Sequence, residues 1–201
     1  MPCPPDVRDA LESVIDVFFS GSRHRERAAF ILCDNLVEVA CKRRAVEHNY
    51  QFAGRGFHAI TTAPGVNLGP HLQRRVAGYR TTRNNLQHVA AALTVDEKHC
   101  ADAILDAVRV LDRLWTGTSG RFAQPMRVAL RVVRLVSTQG EAIVQQQFDD
   151  RLRDWAWRTA PREPVATNAV QIRPGLKEHW GYALRYRYTD IETCLNELGC
   201  P

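Results

Sequence analysis

The stretch that most constrains this chain is "AAFILCDNLVEVAC" (residues 28–41), the centre of a helical-period segment running from Arg25 to Glu47. It is apolar over much of its circumference, with Leu32, Leu36, Val39 and Ala40 on one face, so it cannot lie alone on a surface. Other helices have to cover it. Three segments offer themselves. Asp6 to Phe19 places Val7, Leu11, Val14, Ile15, Phe18 and Phe19 at helical spacing and stops at "SGS". Pro70 suits a first helical position, and the helix it opens is expected to run to Leu93 with Leu72, Tyr79, Leu86, Ala90 and Leu93 on one face. "TVDE" (residues 94–97) reads as a Thr-x-x-Glu capping box opening a further helix, with Ala101, Ile104, Val108, Leu111 and Trp115 inward and "TGTSG" closing it. Residues 1–120 are therefore expected to form a helical bundle.

Residues 48–70, "HNYQFAGRGFHAITTAPGVNLGP", carry four glycines and two prolines and read as a long connection between helices. Their "GRGFHA" matches G-x-G-x-x-A in letters only, because no strand precedes it and that fingerprint works only between a strand and a helix. Beyond residue 120 the pattern changes. "PMRVALRVVRLVS" fits a helix with Arg127, Arg131 and Arg134 as a basic stripe, or a strand; its β-branched content favours the strand. "FDDRLRDWAWR" reads as a helix, "NAVQIRPG" and "WGYALRYRY" as strands, and "TDIETCLNEL" as a terminal helix capped by Thr189 or Asp190. The expected fold class is mainly α, with an α+β appendage over residues 121–201.

No run reaches the length of a membrane span, and "MPCPPDVRDA" lacks the basic-then-apolar pattern of a secretory signal, so a cytoplasmic protein without a membrane partner is expected. The six cysteines form no C-x-x-C pair and no metal-ligand spacing, and read as reduced, mostly buried thiols; neither metal nor cofactor is expected. The formal net charge is +5, and of 27 basic residues only Lys42, Lys98 and Lys177 are lysine. Arginine's planar fork matches phosphate oxygens, which tilts the choice of partner toward a polyanion.

One helical arc concentrates the reactive side chains. In "YRTTRNNLQHVAAALTV" (residues 79–95), with about 100° per residue and Arg80 at zero, Arg83, Gln87, Asn84 and His88 spread from about −60° to about +80°. Arg83 lies at the margin of the apolar face, and His88 points away from it. A histidine can move a proton near neutral pH and an arginine can hold the charge of a phosphorane-like transition state. These are the parts needed to cleave RNA by attack of a 2′-hydroxyl on the adjacent phosphate. Arg83 and His88 stand about 140° apart on the helix, so a second copy across a two-fold axis is the natural way to complete such a site. Glu38, inside the apolar helix, is expected to pair with an arginine of the bundle, and His99 is expected at the surface.

Arg83-Asn84-x-x-x-His88 resembles the R-x(4-6)-H motif of the HEPN superfamily, helical bundles that are often metal-independent endoribonucleases of toxin, anti-phage and RNA-processing systems. The similarity spans roughly residues 6–116. It implies Arg83 and His88 as catalytic residues with Asn84 supporting them, and RNA as substrate, which Arg80, Asn84 and Gln87 of the same polar arc are expected to contact. It also implies a homodimer in which two motifs share one cleft, with an antitoxin or defence-complex protein as a possible partner. The alternative is a catalytically silent module of the same kind that binds RNA or protein. Ala90 stands where some toxins of this family carry a tyrosine that a partner nucleotidyltransferase modifies.

Overall fold

A computed structural model describes residues 2–20, 24–88, 94–144, 146–147 and 188–199. Seven α-helices are defined there: α1 Pro5–Phe18, α2 Arg25–Glu47, α3 Phe57–Thr61, α4 Pro70–His88, α5 Glu97–Leu114, α6 Gln124–Gln139 and α7 Tyr188–Glu197. A single 3-10 turn, Ser119–Arg121, precedes α6, and no strand occurs among the described residues.

Helices α2 and α5 form the centre. The latter buries Cys100, Ala101, Ala103, Ile104, Ala107, Val110, Leu111 and Leu114, a face rich in small residues that lets neighbouring helices approach closely. Helix α1 packs on α2, α6 on α5, and α4 lies across both central helices. Trp115, Phe19 and Phe30 are the largest fully buried side chains, and burying one such aromatic is worth roughly 1.5–3 kcal/mol or more. Among the described residues no helix is long and apolar enough to cross a membrane.

Several expectations change. Residues 124–139 are helical, where β-branched content favoured a strand. Met126, Ala129, Val132, Val133 and Val136 fall on one buried face at helical spacing, and the apolar side of α5 receives them. Tertiary packing here overrides an intrinsic β preference. The core thus runs on past residue 120. The segments 148–158 and 168–175, and "WGYALRYRY" up to residue 187, lie outside the described residues, whereas the expected terminal helix is present as α7 and packs on α6.

The start of α5 also differs. Asp96, not Thr94, is the N-cap, its Oδ1 accepting from the His99 amide at 2.7 Å. His99 is half-buried, stacked on Phe30 with ring centroids 5.2 Å apart. Ala90 and Leu93, expected on the inner face of α4, lie outside the described residues, and His88 is the last helical residue described. The connection 48–70 is more than a loop: it contains α3 and docks Ile60, Ala63, Val66 and Leu68 into the core. Gly65 has φ +78°, and a Cβ there would sit 2.0 Å from the His48 ring. Finally, Leu32 and Val39 of α2, expected inward, are 40% and 56% exposed, while Leu36 and Ala40 are buried. The apolar circumference of α2 is wider than the surfaces of α1, α4 and α5 that cover it.

Candidate functional site

Helix α4 carries four arginines (Arg74, Arg75, Arg80, Arg83), two histidines and no carboxylate. Such a helix repels itself unless its neighbours supply the counter-charge. They do so at two places. Toward α5, Arg75 and the Tyr79 hydroxyl both donate to Asp106, which is fully buried and also receives Arg109 at 2.6 Å. Burial, followed by the hydrogen bond with Asp106, pushes the Tyr79 phenol well above its ordinary range.

Toward α2, three polar residues within little more than one helical turn, Asp34, Asn35 and Glu38, meet the predicted arc. Arg80 bonds Glu38 and lies 3.2 Å from Asp34, and its guanidinium stacks over the Phe57 ring at 4.3 Å. Glu38 also takes Lys42 at 2.5 Å. The Arg83 Nε is 3.5 Å from Asp34, while its two terminal nitrogens donate to the side-chain oxygens of Asn35 at 2.9 Å and Asn84 at 3.0 Å. Asp34 is almost fully buried, and burial moves its carboxyl up despite the opposing charges of Arg80 and Arg83. Burial also works to raise Glu38, but the hydrogen bond from Lys42 and the charges of Arg80 and Lys42 outweigh it, leaving that carboxyl below its usual range.

The structure therefore brings Arg80, Arg83 and Asn84 together and leaves Gln87 and His88 exposed at the end of α4. Arg80 is engaged in packing α2 against α4, so its guanidinium is already occupied where a substrate contact was expected. The Glu38 ion pair is present as expected. Asp34 and Asn35 had not been singled out. A signal existed: a carboxylate inside "ILCDNLVE" cannot be buried without a cation, and α4 is the arginine-rich helix. The same Arg-x4-His spacing recurs at Arg43 and His48, at the far end of α2, where Arg43 is bonded to Asp6.

Three cations (Lys42, Arg80, Arg83) face two carboxylates (Asp34, Glu38), so the cluster keeps a formal charge of +1. That surplus is concentrated at Arg83, whose outer nitrogens touch only neutral amides. Five residues further along, about 7.5 Å in axial rise, stands His88. Among the described residues no group of His, Cys, Asp and Glu side chains is arranged to hold a metal ion. No family model, curated protein or solved structure matches this chain.

Proposed function

We propose that this chain is a metal-independent endoribonuclease of toxin or anti-phage type with an HEPN-like site, in which Arg83 and His88 act on one phosphodiester. The observation that carries this reading is the state of Arg83. It is held in place from behind by Asp34, yet its outward nitrogens bond only amide oxygens, which a phosphate can replace at little cost because an ionic contact is stronger than a neutral one. His88 supplies the proton chemistry. In the reaction the 2′-oxygen forms a bond to phosphorus and loses its proton to a base, while the P–O5′ bond breaks and the leaving oxygen takes up a proton. The products are a 2′,3′-cyclic phosphate and a free 5′-hydroxyl, and no water is consumed. Because Arg83 and His88 diverge around α4, the charge-stabilising and proton-transferring groups come from two copies of the chain.

The test is incubation of the purified protein with assorted RNAs in EDTA, with the product ends mapped. Cyclic phosphate ends are expected, with His88→Ala lowering the rate ~100-fold or more while folding and RNA binding stay intact. Strict dependence on a divalent metal, or unchanged cleavage by the His88 variant, would refute the assignment. The ion pairs of Arg80 favour a second reading, an RNA- or protein-binding module without chemistry. RNA binding with no cleavage by the unaltered chain would establish it.

A further inference from the structure

A groove of about 300 Å³ runs between α1 and α2, with the buried Val7, Val14 and Leu36 at its floor and the exposed Ala10, Leu32 and Val39 along its rim. Its polar residues differ in what they have left to offer. The Asp6 carboxylate holds Arg43, and the Ser13 hydroxyl donates to the Asp9 carbonyl at 3.0 Å. Asn35 is only half engaged. Its oxygen accepts from Arg83 at 2.9 Å, and because an arginine can only donate, the amide has to turn its oxygen that way. The amide nitrogen, with two N–H groups, therefore faces away from the guanidinium and meets no acceptor among the described residues. One side chain thus belongs both to the groove and to the surroundings of Arg83. Aliphatic walls beside an open amide suit a flat body with apolar faces and a polar edge. The volume is at the small end for a ligand site, and a protein surface would need far more.

We propose that this groove seats one nucleobase of a single-stranded RNA, the base beside the phosphate at Arg83, with Asn35 hydrogen-bonding its edge. The place of the phosphate rests on the reading above; the groove and the open amide do not. Side chains of both helices press on the two faces of the ring, as apolar side chains do around a base taken out of its stack. Asp6 is the one charged residue lining the groove, so a neutral base enters it while the phosphate stays outside at the cationic cluster. Asn35 links the two. When a phosphate takes the outer nitrogens of Arg83, the Asn35 oxygen is released, and the whole amide, a donor beside an acceptor, becomes free to pair with a base edge of the complementary pattern. Without RNA this amide steadies Arg83, and with RNA it reads a base. Bases paired and stacked in a duplex cannot reach such a groove, so loops, ends and single strands are the substrates it selects. Preference at the cut is thereby assigned to α1 and α2, away from the reactive arc on α4.

The test is nucleotide binding to the full chain, followed on the methyl resonances of Leu32 and Val39. The four ribonucleoside monophosphates, phosphorylated at the 3′ or the 5′ oxygen, are titrated beside ribose 5-phosphate, which has no base. At least one nucleotide should bind ~10-fold or more tighter than ribose 5-phosphate and shift both sets of methyl signals. Ala10→Trp, which fills the groove from an exposed position, should remove that difference with helicity unchanged. Val46→Trp, also exposed on α2 but outside the groove, should leave it intact. Asn35→Leu should narrow the spread among the four bases to about 2-fold. Three results would overturn the proposal: ribose 5-phosphate binding as tightly as every nucleotide, no binding of any nucleotide at about 10 mM, or base-dependent binding that survives Ala10→Trp. Each would leave the groove to another occupant. Base-dependent binding in the groove by a chain that cuts no RNA would keep the base site and remove the nuclease assignment, whereas cleavage without base-dependent binding would do the reverse.

Discussion

Asp34→Ala probes the network that holds α4 against α2. Asp34 is 4% exposed and its carboxylate serves two arginines, Arg80 at 3.2 Å and Arg83 at 3.5 Å. Removing one member of a buried ion pair costs roughly 3–5 kcal/mol, because the other charge is left stranded. Two features lower that figure here. The side chains of Arg80 and Arg83 are 18% and 21% exposed, so water reaches them, and Arg80 retains Glu38. Burial also raises the Asp34 carboxyl, so the native state already bears part of the desolvation cost. The expected loss is about 2–3 kcal/mol, which for a chain of this size lowers the melting temperature by about 4–12 °C. Asp34→Asn, which keeps one acceptor, should lose about half as much. Urea unfolding followed by far-UV circular dichroism gives the free energies. A double-mutant cycle with Arg83→Ala should show a coupling of about 1 kcal/mol between the two sites. If Asp34→Ala unfolds within about 0.5 kcal/mol of the parent, the cluster does not tie the helices together and the stated origin of Arg83's orientation is wrong.

Asp96→Ala should cost about 1 kcal/mol through loss of the bond from the His99 amide, and Thr94→Ala close to nothing; the reverse order in chemical denaturation would restore the Thr-x-x-Glu cap. Gly65→Ala should destabilise by about 2–3 kcal/mol, the left-handed backbone and the clash with His48 adding together, whereas Gly54→Ala, at φ +71° with open space around it, should cost only about 1; equal losses would mean that His48 moves aside freely. Burial lifts the Cys3 thiol to about 11 and that of Cys41 to about 12, and Cys33 and Cys100 are pushed up as well. Folded-state values above the unfolded value of about 8.5 mean stability that is complete below that pH and lost as pH rises past it. Native thiol labelling of these four near pH 8 should run ~100-fold or more slower than in urea, and an alkaline limb of stability that stays flat to pH 10 would contradict the burial.

How much of this was legible in advance differs from element to element. Helix α2 has the bounds that its periodicity predicts, since a long apolar segment flanked by polar residues has few alternatives. The segment 124–139 misled because Val-rich sequence suits a pleated surface as well as a helix, and only the presence of α5's apolar face decides between them. At the candidate site, the arc from Arg80 to His88 follows from helical geometry alone. Of the partners across α2 only Glu38 was foreseen, because Asp34 and Asn35 are remote in sequence and meet α4 only through packing.

What the sequence determined by itself is local: helical period, the places where turns must fall, an arginine-rich helix without acids, and a histidine five residues after an arginine. What tertiary structure decided is the assignment of those side chains to tasks. Arg80 closes an ion pair with Glu38, Arg83 shares Asp34 while its outer nitrogens face amide oxygens, and Leu32, Val39 and Val46 stay outside the core. The reason is that an amphipathic pattern specifies which residues avoid water but not which neighbour covers them. A charge in turn specifies that a partner is needed, and the packing of the helices chooses it.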